Sequence, residues 1–175
     1  MPVEDLTTLP TGTSVFVDTI IFDLHFKSKS IQCSALMRRI ALREITAYVN
    51  TQVLADLLHK SMLAEAFSKM LITSPNHQKL KKLFDRDRSA AIRLIDCQRN
   101  VEDVIAFGVK ILNITRRTII DSQHERHHYG LMTNDSLHLH TMANHRLPLS
   151  HIVTQDGDFG HVGTITVWQP QDVIA

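Results

Sequence analysis

Two sets of side chains in this sequence have the types and spacing of reactive groups. The first is a scatter of aspartates. Asp18 closes the apolar run SVFVDT, Asp56 lies within TQVLADLLHK, Asp135 precedes SLHLHTM, and Asp156 and Asp158 flank a glycine in TQDGDF. The second is HERHH at 124–128, formally the H-E-x-x-H string in which two histidines one helical turn apart bind zinc and the glutamate serves as base.

The two sets imply different chemistry. Carboxylates brought to one place cannot all stay ionised without a compensating charge, because each raises the pKa of its neighbours. A hard divalent cation supplies that charge, and all-oxygen ligands select Mg²⁺ or Mn²⁺ over zinc. Such a site suits phosphodiester hydrolysis by metal-activated water. The zinc reading is weaker. Arg126 and His127 fill the middle of the string, Gly130 ends the helix almost at once, and no third ligand is evident. In a chain with 11 histidines, HERHH reads as a coincidence at a polar helix end.

The elements must then bring the aspartates together. Ser14–Thr19 is a short β-branched run expected as a buried strand. IQCSALMRRIALREI places Cys33, Leu36, Met37, Ile40 and Ala41 on one helix face. A short strand is expected at Ala47–Asn50, followed by a long helix capped by Thr51 and broken at Pro75 and Asn76. The region from 76 to about 110 is again helical in pattern. Ile111–Thr115 is strand-like, RRTIIDSQHERHHYG is a helix ended by Gly130, and Thr133 or Asn134 caps the next helix. Ile152–Thr154 and Thr164–Trp168 complete the strands. Alternation of this kind predicts a three-layer α/β/α sandwich around a mostly parallel sheet of about four or five strands. Functional sites in such sheets collect at the carboxyl ends of the strands, where Asp18 and Asp156 fall. Bland alternatives remain for each acid taken alone: a helix cap for Asp18 or Asp135, a turn for QDGD, a solvated helix position for Asp56.

SVFVDT, TQVLADLLHK, YGLMTNDSLHLHTM and IVTQDGDF, in that order, resemble the signatures of the PIN-domain nucleases, most of all the VapC-type toxins and their stand-alone relatives. The resemblance spans nearly the whole chain, with N-D-S-L-H and T-x-D-x-D-F its most specific parts. It implies catalytic roles for Asp18, Asp56, Asp135 and Asp156, and metal ligation by Asp18, Asp135, Asp156 and Asp158. Thr19, Asn134 and Thr154 would support those acids. Two departures stand out: Ile20 replaces a residue that is often polar in the family, and Asp56 replaces a glutamate, which shortens its reach. The implied activity is an Mg²⁺- or Mn²⁺-dependent endoribonuclease acting on single-stranded or loop RNA and leaving a 5′-phosphate and a 3′-hydroxyl. A homodimer and an antitoxin protein are the implied partners. The alternative is a non-catalytic PIN module that binds RNA or protein as a scaffold.

The remaining sequence constrains the setting. A chain of 175 residues suits one domain, 1–175, with 1–12 expected as a flexible or loosely packed lead. The polar, acidic start does not read as a signal peptide, no apolar run is long enough to span a membrane, and the two cysteines form no spacing motif, so a cytoplasmic location is expected. A net charge of +1 makes no global case for nucleic acid. Locally, residues 79–99 hold seven Lys/Arg against three Asp, and Lys79, Lys81, Lys82, Arg86 and Arg88 are the candidate RNA contacts. The bland reading of that stretch is a solvated helix face. His138, three residues beyond Asp135, is placed near the cleft, with helix packing or surface exposure the more ordinary role.

Overall fold

The computed structural model describes residues 3–146 and 148–174. Six strands are hydrogen-bonded in one all-parallel sheet: β1 Val3–Asp5, β2 Ser14–Val17, β3 Thr46–Asn50, β4 Lys110–Leu112, β5 His151–Val153 and β6 Thr166–Gln169. Their order is β1-β6-β5-β2-β3-β4. The helices are α1 Thr19–Phe26, α2 Ile31–Ala41, α3 Thr51–Ser68, α4 His77–Arg86, α5 Asp96–Ala106, α6 Arg116–Asp121, α7 Gln123–Tyr129 and α8 Thr133–Ala143.

The crossovers from β2 to β3 and from β3 to β4 step one way across the sheet, and the return from β4 to β5 goes the other way. Right-handed connections then place the helices following β2 and β3 on one face and those following β4 on the other. The packing agrees: α3 contacts both α1 and α5, and α6, α7 and α8 contact one another. The strand order reverses beside β2, the switch point at which open α/β sheets form a crevice. Val15, Phe16 and Val17 of β2 and Ile152 and Val153 of β5 are fully buried, as expected for strands covered on both faces.

The sheet has six strands rather than four or five, because residues 3–12 are not a loose lead. Val3–Asp5 pairs with β6 at the sheet edge, and Leu6 and Leu9 are buried in the core. A three-residue strand carries almost no periodicity, so sequence pattern misses it. Two helix starts also shift by one residue. Asn50, not Thr51, caps α3, its side chain accepting from Val53 N at 3.1 Å. Met132 rather than Thr133 or Asn134 precedes α8. Gly130 ends α7 in the left-handed region at φ 71°, as expected. In α2 the buried face is Cys33, Leu36, Met37 and Ile40, while Ala41 at its end is exposed.

A second apolar cluster joins α3, α4 and α5 around Ala66, Leu80, Leu83 and Cys97. Buried Glu65 fastens it. The glutamate pairs with Lys69 and accepts the backbone N–H groups of Ile95 at 2.9 Å and Cys97 at 2.9 Å, where α5 begins. Burial alone would raise its carboxyl pKa, but Lys69 and these amides hold it at about 2. Among the described residues no helix is long and apolar enough to cross a membrane.

Candidate metal centre

Two parallel strands deliver acids to the same edge. The chain leaves β2 at Asp18 and leaves β5 through Thr154 into the turn carrying Asp156 and Asp158. Thr154, fully buried, ties the two together: its hydroxyl donates to Asp18 Oδ2 at 2.6 Å and accepts from Asp156 N at 3.0 Å. Asp156 in turn accepts from Asp158 N at 2.9 Å, which fixes the turn. Asp135 enters from the first turn of α8, where the positive end of the helix favours a carboxylate.

Carboxylate oxygens of Asp135, Asp156 and Asp158 all lie within 4.8 Å of one another. Asp135 bears the consequence: burial, then the charges of Asp156, Asp18 and Asp158, push its pKa up to about 6. Such a set of hard oxygen donors with uncompensated negative charge fits a divalent cation. The cleft around them measures about 610 Å³ and is lined by Asp18, Asp56, Asn134, Asp135, His138 and Asp156, among others.

Asp56, one turn into α3, belongs to the cleft wall and not to the close acidic triplet. Its Oδ1 accepts from Gln52 Nε2 at 2.9 Å and its Oδ2 from Asn134 Nδ2 at 2.9 Å. Both oxygens are thus held by amides, and Asn134 couples Asp56 to the residue beside Asp135. Thr19 is buried, its hydroxyl donating to Val53 O at 3.4 Å, so it links α1 to α3. Ile20 lines the cleft.

Several cleft residues were invisible as such in the sequence. His59 and Lys60 of α3 and Gln155 line it. Asn50 lies beneath it, fully buried, and its Nδ2 reaches His138 Nδ1 at 3.0 Å. His138 packs on Phe16 with ring centroids 5.2 Å apart and also borders the cleft, so packing and proximity to the acids are both realised. Burial holds its imidazole pKa below the ordinary value, against the upward pull of Asp18 and Asp56. The signal available in sequence was the three-residue helical spacing from Asp135.

The basic stretch divides. Arg93 pairs with Asp87 at 2.7 Å, Arg99 with Asp96 at 3.6 Å, and Lys79 donates to Thr73 Oγ1 at 2.7 Å. Lys81, Lys82, Arg86 and Arg88 are exposed and lack ion-pair partners among the described residues. The start of α4 reaches the cleft wall, where His77 meets His59 with ring centroids 5.3 Å apart.

HERHH is not built as a zinc site. Glu125 is buried and accepts from or shares a proton with His140 Nδ1 at 3.0 Å, turned toward α8. His124 and His128 stack on the exposed side, ring centroids 5.8 Å apart. Glutamate and histidines therefore face different surroundings.

No protein-family model matches the chain, and no curated protein does. Solved structures do. A chain of the VapBC2 complex from Rickettsia felis, crystallised with a DNA fragment from its promoter, superposes with a TM-score of 0.55 at 15% identity, covering 90% of this chain and 98% of that one. A chain of a toxin–antitoxin complex from Klebsiella pneumoniae gives a TM-score of 0.50 at 15% identity, covering 87% of this chain and 95% of that one. The fold is PIN-like α/β, an all-parallel sheet flanked by helices. At such identities the likeness concerns the fold.

Proposed function

We propose that the chain is a metal-dependent endoribonuclease of the PIN type, a single functional domain acting on single-stranded or loop RNA. The observation that carries this reading is the convergence of Asp135, Asp156 and Asp158 within 4.8 Å at the switch-point edge of the sheet, with Asp18 tied to Asp156 through Thr154. Asp18, Asp135, Asp156 and Asp158 would hold Mg²⁺ or Mn²⁺. When bound, the cation neutralises the acids and supplies an activated water for attack at phosphorus.

The chain's own groups do the positioning. Thr154 holds Asp18 and the Asp156 turn in one frame, and Asn134 keeps Asp56 at the wall, where it accepts hydrogen bonds from water or a ribose hydroxyl. Lys60 lines the cleft, and Lys81, Lys82, Arg86 and Arg88, which have no ion-pair partner among the described residues, supply cationic anchorage for the RNA backbone. The low aromatic content of 6% favours backbone anchorage over base stacking.

The similarity to chains of toxin–antitoxin complexes supports an antitoxin protein as partner; a homodimeric assembly and a cytoplasmic location belong to the same proposal. Titration with Mn²⁺ followed by paramagnetic resonance, alongside cleavage of a labelled single-stranded RNA, tests the reading. Binding and cutting that are both lost in Asp156→Asn are expected. Unchanged Mn²⁺ affinity in that variant would remove the assigned site.

A further inference from the structure

The hydrogen bonds below the acids fix the direction of every proton in a short chain. Thr141 Oγ1 donates its only hydrogen to the carbonyl of Leu137 at 2.6 Å, so toward Asn50 Nδ2, at 3.4 Å, it can only accept. Asn50 Oδ1 accepts from the backbone N–H of Val53 at 3.1 Å, which identifies the other amide atom as nitrogen. That nitrogen, a donor, lies 3.0 Å from His138 Nδ1. Nδ1 must therefore present a lone pair, and the ring hydrogen resides on Nε2. A hydrogen on Nδ1 would instead face the Asn50 N–H at hydrogen-bond distance. Nε2 has no partner among the described residues, and the ring borders the acidic cleft.

Resting on the nuclease reading, we propose that His138 is a neutral Nε2–H donor, locked in that tautomer by Asn50, that gives a hydrogen bond to a non-bridging phosphoryl oxygen of RNA bound over the acids. Placement suits the task. His138 follows Asp135 by three residues on α8, so both project from the same side of the helix. A neutral donor also has a specific use there. A phosphoryl oxygen gains negative charge in the transition state, and a fixed N–H aimed at it stabilises that charge without competing with the cation for the carboxylates. The phenyl ring of Phe16 beneath it, centroids 5.2 Å away, and the fully buried Asn50 keep the imidazole from rotating.

Two measurements test this, and the first needs no activity. Long-range ¹H–¹⁵N correlation spectra of the protein report the tautomer of His138, assigned by its loss in His138→Gln. The Nε2–H form is expected, and the Nδ1–H form would overturn the proposal. The second compares His138→Leu with His138→Gln, whose side-chain amide can restore a neutral donor near the same place. Removal of one such donor lowers kcat by about 10²-fold, and the glutamine variant should recover to within about tenfold of wild type. KM and Mn²⁺ affinity are expected to stay close to wild type in both, while the unfolding temperature should fall in His138→Leu, which leaves the buried Asn50 N–H without its ring acceptor. Wild-type kcat in His138→Leu, or loss of Mn²⁺ binding in both variants, would refute the donor role while leaving the nuclease standing. A wild-type protein that cuts no RNA refutes the nuclease reading, and the phosphoryl contact with it, whatever the tautomer.

Discussion

Replacing Asp135 with asparagine should stabilise the metal-free protein while impairing its function. The carboxyl is held at about 6 against an ordinary value of 3.8, because burial and the charges of Asp156, Asp18 and Asp158 disfavour its anion. The folded chain thus binds the proton more tightly than the unfolded chain. Stability from this group is complete below about pH 4 and is lost as pH rises through about 6. The full difference corresponds to about 3 kcal/mol. Asp135 is only half-buried, and solvent screening reduces the expected gain to about 1 kcal/mol. In a chain of this length that raises the melting temperature by about 2–4 °C. Thermal unfolding of wild type and Asp135→Asn, in chelator at pH 7.5 and again at pH 4, measures it. The variant should melt higher at pH 7.5 and level with wild type at pH 4. Saturating Mn²⁺ should reverse the order at pH 7.5, since a ligand at a hundred times its Kd adds about 2.7 kcal/mol to the protein that binds it. A variant that melts no higher at pH 7.5, or a gap that ignores pH, would refute the claim that these acids repel one another.

Glu65→Ala removes the acceptor for two backbone amides at the start of α5 together with the partner of Lys69, and should cost about 2 kcal/mol in urea unfolding at pH 7. Because the Glu65 carboxyl is held at about 2, that contribution is present above about pH 4.5 and the gap between the proteins should close as pH falls toward 2. Replacing Lys81, Lys82 and Arg86 together with glutamine should weaken binding of single-stranded RNA in Ca²⁺ and make the slope of log K against log salt shallower by about 2. An unchanged slope in that triple variant would place the RNA elsewhere on the surface.

The sheet and the acids were legible in the sequence for one reason: both are written locally. SVFV and AYV are short apolar runs bounded by polar residues, and the aspartates that follow strands need only the rule that parallel sheets work at their carboxyl ends. What escaped was whatever depends on distant pairing. Val3–Asp5 becomes a strand only because β6 lies beside it, and its three residues have no pattern of their own. Asn50 reads as the end of a strand, and its contact with His138 crosses 88 positions of chain. Asp56 lies on a helix and lines the cleft, yet its engagement by Gln52 and Asn134 follows from how α3 and α8 approach one another. HERHH shows the reverse error that local patterns invite. The spacing is that of a zinc helix, but Glu125 is drawn into the contact between α7 and α8, where His140 meets it.

The central claim is that the acids of β2, β5 and α8 form a working metal centre for RNA cleavage. Its most direct test is the cleavage of an end-labelled single-stranded RNA by the purified protein with Mg²⁺, with Mn²⁺ and with chelator, beside Asp135→Asn and Asp156→Asn. Metal-dependent fragments with 5′-phosphate ends, absent in chelator and in both variants, are the expected result. Cutting that persists in chelator or in either variant would contradict the account.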